Sequence, residues 1–186
     1  MVLSYAHLKS LDILSTRLDS FTELAAPYKK HFTASAVVIE QSHILLVHHK
    51  RIGAWLPPGG HVEEHELPHQ TAVRETKEET GLSISILSAP VPETASANAF
   101  FLPEPLCIHA VKATEAKGVF YHIDLAYLCK LSQTLKDKDN SLPDLEFSDE
   151  LHNASWVELS KLEKIPLAIN VIELVAVAKS KLKLAD

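Results

Sequence analysis

The stretch RETKEETG, residues 74–81, constrains this chain more than any other part of it. Pro68 stands upstream and Gly81 closes the stretch, the usual asymmetry of helix punctuation, so the spacing predicts a helix over 68–80. On that helix Glu75, Glu78 and Glu79 lie at i, i+3 and i+4 and share one face within about a turn. Like charges so placed cost a few tenths of a kcal/mol per pair when exposed, and more where water is partly excluded. A cation is expected to offset that cost. Three carboxylates on one turn are a hard-oxygen set of the kind Mg²⁺ or Mn²⁺ prefers, with water and phosphate oxygens completing the shell.

Around this helix the pattern alternates between strands and helices. Leu8, Leu11, Leu14, Leu18 and Phe21 recur at helical spacing, which predicts an amphipathic helix over about residues 4–24 that ends before Pro27. FTASAVVIE and HILLVHHK read as two strands of a hairpin joined at Gln41 and Ser42. GAWLPPGGHVEEHE, with paired prolines and paired glycines, suits a loop leading through a short strand at 61–63. Residues 88–103 are rich in Pro, Ala and Ser and read as loop, whereas LCIHAVKA and GVFYHIDLAYLCKL return to strand composition. A short strand around ASWVEL and one or two helices beyond Leu159 close the chain.

Such mixing of elements indicates an α/β or α+β class with a mixed sheet. No internal repeat or long linker divides the 186 residues, so one domain is expected over 1–186, with a helical extension at 1–27, a core at 30–165 and a C-terminal helix at 166–186.

A net charge of −6 argues against a broad nucleic-acid surface, which needs a basic face. Lys9, Asp12 and Arg17 interrupt the apolar N-terminus, and the apolar run at 165–178 is shorter than the about 20 residues of a membrane span. A cytoplasmic location is therefore expected, with no membrane partner. Cys107 and Cys129 allow one bridge at most and are read as free buried thiols. His61, His65 and His69 recur every four residues, but Pro68 interrupts a continuous helix there and no Cys/His pair has zinc spacing.

Read outward from the glutamates, the pattern is Gly60, five residues, Glu66, seven residues, Arg74, Glu75, one aliphatic position, one residue, Glu78, Glu79, one residue, Gly81 and Leu82. This resembles the Nudix box, G-x5-E-x7-R-E-U-x-E-E-x-G-U, with every specified identity present. Only the first aliphatic position departs from it, being Thr76, which keeps the β-branch and one methyl. WLPPGG, residues 55–60, resembles the lead-in common in that family.

The resemblance implies a Nudix-type αβα sandwich and an Mg²⁺-dependent hydrolase, with Mn²⁺ as substitute, acting on a nucleoside diphosphate linked to another moiety. It implies that Glu75, Glu78 and Glu79 are metal ligands and that one of them, or a loop glutamate, is the base, with Glu75 named first. Gly59 is implied to give a carbonyl ligand, while Gly60, Glu66 and Arg74 support the site, Glu66 and Arg74 as an ion pair. A fourth acidic ligand is implied in SDELHNASWV, with Glu150 chosen over Glu146 and Asp149. His49 and Arg51, at the end of the second strand, are candidate substrate contacts, beside an equal reading as a solvated strand end. His122 and Asp124 either face a pocket or lie on a wet sheet surface. Phe100, Phe101, Phe120 and Tyr121 are candidates for base stacking.

Two other functions stay open. Cys107 allows a diphosphate isomerase on the same fold, and a sensor that binds nucleotide without turnover is the third reading, which predicts a broken carboxylate set. The expected partner is a small nucleotide-type molecule, with the chain a monomer or homodimer.

Overall fold

The computed structural model describes residues 29–93, 98–115, 118–132 and 141–183. The N-terminal helix expected over about residues 4–24, within the 1–27 extension, lies outside the described residues. Strands β1 (Lys29–Glu40) and β2 (His43–His49) form the expected hairpin. Its two-residue turn puts Gln41 and Ser42 at φ 46° and 63°, the left-handed pair that suits the twist of a hairpin, here without glycine.

Two strands follow where the sequence indicated a loop and one strand at 61–63. β3 (Ala54–Leu56) pairs with β2, and β4 (Gly59–His61) pairs with β1. The prolines between them do not prevent pairing, because Pro58 contributes its carbonyl, accepting from Ala36 N at 2.9 Å. Helix α1 (Pro68–Thr80) has the expected bounds. Leu67 N donates to Gln70 Oε1 at its start, and Gly81 closes it at φ 73° with its N–H on the Lys77 carbonyl.

β5 (Ile84–Ile86), β6 (Cys107–Glu115) and β7 (Gly118–Leu131) follow, then β8 (Leu151–Glu158), a 3₁₀ helix (Leu159–Lys164) and helix α2 (Val171–Leu182). α2 starts five residues later than the expected 166, because Trp55 N bonds to the Pro166 carbonyl and Ala168 N to the Trp55 carbonyl, holding that segment extended. Residues 166–168 thus run extended beside Trp55 of β3, bridging it at Leu167.

The sheet is mixed. β1 runs parallel to β7, and the other neighbours are antiparallel. β1 divides its other edge between β4 and β2, and β7 divides its other edge between β6 and β5. Strand parity then sorts the core. Ala34, Ala36 and Val38 face α1 with Ala72 and Tyr127, whereas Val37, Ala126 and Leu128 pack beneath α2 with Leu174, Val175 and Ala178. This gives the αβα sandwich.

α1 approaches the sheet through small residues: Thr71, Ala72, Thr76 and Thr80 are fully buried. The Thr76 hydroxyl donates to the Ala72 carbonyl at 2.7 Å, so the departure from an aliphatic residue leaves no unpaired polar atom in the core. Among the described residues no helix is long and apolar enough to cross a membrane.

Candidate metal and catalytic centre

The carboxylates of α1 do not stand free in solvent. Glu79 is buried and its carboxylate accepts the Gly59 N–H at 2.9 Å, which ties the helix to the start of β4. Burial pushes its pKa up to about 8, against the Gly59 hydrogen bond, and the charges of Glu75, Glu150 and Glu78 push the same way. A group whose anionic form is destabilised by three neighbouring carboxylates and by lost water is one that a cation would stabilise. The donor set therefore fits a hard divalent ion.

Glu75 is also shifted upward, by burial first, opposed by Arg74, with Glu78 and Glu66 adding repulsion. Glu78 is the most exposed member, with its side chain 58% accessible. Arg74 knits the group together. Its guanidinium bonds Glu66 through Nε at 2.5 Å and Nη2 at 3.0 Å, and through Nη1 it reaches Glu75 at 3.0 Å and Glu78 at 2.9 Å. Arg74 thus already offsets part of the repulsion on this face, a role the sequence reading gave wholly to a metal ion. Glu66 takes a further bond from Thr71 Oγ1 at 2.8 Å, and the Arg74 bonds above all hold its pKa down to about 2.

The glycines are placed by contact rather than by φ. A Cβ on Gly59 would lie 2.4 Å from the Ala34 carbonyl oxygen, and one on Gly60 would lie 2.2 Å from Glu75 Oε1. The charge of Glu150 bears on Glu79. Glu146 instead packs its side chain against Gly81, and the Asp149 carbonyl accepts from Lys50 Nζ.

His49 joins the same neighbourhood. Burial lowers its pKa, Arg51 lowers it further and Glu150 opposes both. The Arg51 backbone N–H donates to His49 Nδ1 at 3.1 Å, which leaves Nε2 as the proton-bearing nitrogen of the neutral ring. The Arg51 side chain lies in the exposed turn after β2.

Other candidates fall elsewhere. Phe120 and Tyr121 are buried, and Phe100 and Phe101 are exposed, at 69% and 58%. Asp124 is buried on the α2 face, accepting from Thr33 Oγ1 at 2.9 Å and Ser35 Oγ at 2.7 Å, with His109 Nε2 also at 2.9 Å. The sequence reading missed Thr33, Ser35 and His109, because their meeting depends on β1, β7 and β6 aligning Thr33 and His109 with Asp124. Cys107 and Cys129 are free, as expected. Cys107 packs with the α2-side cluster, across the sheet from α1, and its thiol is pushed up by burial and by Asp124.

Known proteins share this architecture. The family model described as NUDIX domain matches residues 29–176. A NUDIX-family hydrolase from Clostridium perfringens superposes with a TM-score of 0.59 at 24% identity, covering 81% of this chain and 95% of that one. An ADP-ribose pyrophosphatase from Streptococcus suis gives 0.55 at 19% identity over 84% and 94%. A C. elegans Ap4A hydrolase gives 0.55 at 22% identity over 82% and 98%. No curated protein sequence matches the chain.

Proposed function

The chain belongs to the NUDIX domain family, and from that premise we propose that it is a pyrophosphohydrolase acting on a nucleoside diphosphate linked to another moiety, with Mg²⁺ as its ion and Mn²⁺ as substitute. The observation that carries the reading is the buried Glu79, surrounded by the charges of Glu75, Glu78 and Glu150 and fixed to the Gly59 backbone. The names of the ADP-ribose pyrophosphatase and the Ap4A hydrolase point to nucleotide-derived diphosphates as the substrate class.

Glu75, Glu78, Glu79, Glu150 and the Gly59 carbonyl would hold the ion. When bound, the ion supplies Lewis acidity, making water nucleophilic at neutral pH and neutralising charge on an acid anhydride. Glu75 is assigned as the base towards the attacking water, its orientation fixed by the bond from Arg74 Nη1 to its Oε1 at 3.0 Å. Glu66 acts through Arg74, which it grips by two bonds. His49, with Nε2 as its proton-bearing nitrogen, and Arg51 are assigned to donate to the substrate phosphates at the rim.

Hydrolysis is favoured over isomerisation because Cys107, the thiol an isomerase would need, sits across the sheet from the carboxylates with its pKa raised. A sensor without turnover would be expected to have lost part of its carboxylate set. Two free cysteines suit a reducing, cytoplasmic setting.

The test is a panel of dinucleotides, nucleotide sugars and nucleoside triphosphates assayed with Mg²⁺ and Mn²⁺, with the released phosphate product identified. Glu78→Gln, at an exposed position, is expected to lower kcat by at least about 100-fold while the thermal unfolding midpoint stays in place. A variant that retains a near-normal rate overturns the assignment.

A further inference from the structure

A second group of chemically active side chains lies outside the carboxylate centre. His31 on β1 and His122 on β7 are direct neighbours in the parallel ladder, and His61 on β4 pairs with Thr33 two positions along β1. Parity therefore sends all three imidazoles to one face of the sheet, the face that α2 covers further along at Val37 and Leu128. Directly opposed residues stand about 5 Å apart at Cβ and diagonal ones remain within reach of aromatic side chains.

The ring centroids are 5.6 Å apart for His31 and His61, 5.0 Å for His61 and His122, and 6.0 Å for His31 and His122. One ring nitrogen from each residue lies within 4.8 Å of those of the other two. We propose that His31, His61 and His122 form a second metal site, for a borderline divalent transition ion of the Zn²⁺ class, separate from the carboxylate centre and of opposite ligand preference.

Ligand chemistry decides the class of ion. Imidazole nitrogens suit zinc, copper and nickel, whereas the oxygen donors of α1 suit magnesium and manganese. A tetrahedral zinc ion with bonds near 2.0 Å sets its nitrogens about 3.3 Å apart, so all three rings would turn inward on binding, the exposed His61 with the most room to do so. Three strands carry the three ligands, and strand-borne ligands are held more firmly than loop-borne ones. Phe120 stacks on His31 with centroids 5.2 Å apart and planes 30° from parallel, which limits rotation of that ring. Asp124, the acid two positions along β7 from His122, is bonded to Thr33, Ser35 and His109, so the proposed ligand set consists of the three imidazoles.

His31 and His61 line a cleft of ≈ 630 Å³ with Phe32, Val62 and Pro68, which gives an ion a route to two of the three imidazoles. His61 is two residues from Gly59, which places the two centres at neighbouring points of β4.

The experiment uses the full chain, stripped with EDTA and returned to excess Mg²⁺ so that the oxygen-rich centre is occupied. Zn²⁺ is then titrated against a chromogenic chelator of micromolar affinity, and Co²⁺ is added separately for its visible absorption. The proposal expects one equivalent of Zn²⁺ withheld from the chelator and a Co²⁺ spectrum of low coordination number. His31→Ala, His61→Ala and His122→Ala should each weaken binding at least about tenfold, and Glu78→Gln should leave it unchanged. His61 is exposed, so its variant separates loss of a ligand from loss of fold, checked by thermal unfolding without metal. No stoichiometric Zn²⁺ in the presence of Mg²⁺, or binding that survives all three histidine substitutions, overturns the site. Either result leaves Mg²⁺-dependent hydrolysis untouched, because that activity is read without zinc.

Discussion

Gly60 lies directly beneath Glu75: a Cβ added to the glycine would stand 2.2 Å from Glu75 Oε1 and 2.5 Å from its Cδ. The neighbouring glycine meets something different. A Cβ on Gly59 would stand 2.4 Å from the Ala34 carbonyl oxygen and 2.7 Å from Ser35 Cα, both backbone atoms in the centre of β1. Backbone in a paired strand cannot yield, whereas the end of a glutamate can swing aside. Gly59→Ala is therefore expected to cost stability by about 2 kcal/mol or more through overpacking. Gly60→Ala is expected to keep its unfolding midpoint nearly unchanged and lose at least about tenfold in kcat/KM, because Glu75 is displaced from the ion and the water. Urea unfolding and steady-state kinetics on the two variants separate these outcomes, and equal losses of stability in both would refute the distinction.

Glu66 holds Arg74, and Arg74 holds Glu75 and Glu78. The Glu66 pKa, held down to about 2 by Arg74, lies below its ordinary value of 4.5, so its charged form favours the folded state. That contribution is fully present above about pH 4.5 and is lost as pH falls towards 2. Glu66→Gln is expected to destabilise the protein by about 1 to 2 kcal/mol at pH 7, the range of a charge-assisted hydrogen bond, and by clearly less at pH 3.5. Chemical denaturation at the two pH values measures the difference. A gap that is constant with pH would show that the carboxylate charge is not what holds Arg74.

Much of this centre was legible because it is local. Glu66, Arg74, Glu75, Glu78 and Glu79 sit on one helix and the turn before it, and their spacing alone determines which side chains meet. Gln41 and Ser42 were legible as a turn for the same reason. What escaped was what depends on register between distant strands. Nothing near His31 in sequence announces His122, and their meeting needs β1 to run parallel to β7 with that exact partnering set by the hydrophobic faces of both. β3 was hidden for another reason: Trp55 pairs on one side with β2 and bridges to Leu167 on the other, so its strand character comes wholly from partners. β5, with three residues, was too short to have a period.

Cys107 gives a negative control. It is half-buried in the α2-side cluster with a thiol whose pKa is raised by burial and by Asp124, so it is neither ionised at neutral pH nor on the side of the carboxylates. Cys107→Ser is expected to leave kcat/KM for diphosphate hydrolysis within about twofold, with any cost falling on stability, at about 1 kcal/mol. A loss of an order of magnitude or more in rate, with folding unchanged, would return the thiol to the reaction and revive the isomerase reading.

Glu79 contributes to the pH dependence of the metal-free protein with a definite sign. Its folded pKa, raised to about 8 by burial, exceeds the unfolded value near 4.5, so between those values the folded state binds a proton that the unfolded state has released. The Glu79 contribution to the stability of the EDTA-treated protein is therefore expected to fall as pH rises from about 4.5 to 8, with a slope of at most about 1.4 kcal/mol per pH unit. Glu79→Gln removes the titrating group while keeping an oxygen for the Gly59 N–H, and its stability profile should lose that slope. Mg²⁺ competes with the same proton, so its stabilising effect should grow with pH over the same interval and be largest near pH 8. Thermal unfolding at half-unit pH steps, with EDTA and with excess Mg²⁺, measures all three profiles. If the wild-type and Glu79→Gln profiles run parallel without metal, the buried carboxylate is not the group whose charge the ion offsets, and the ion must be held by Glu75, Glu78 and Glu150 without it.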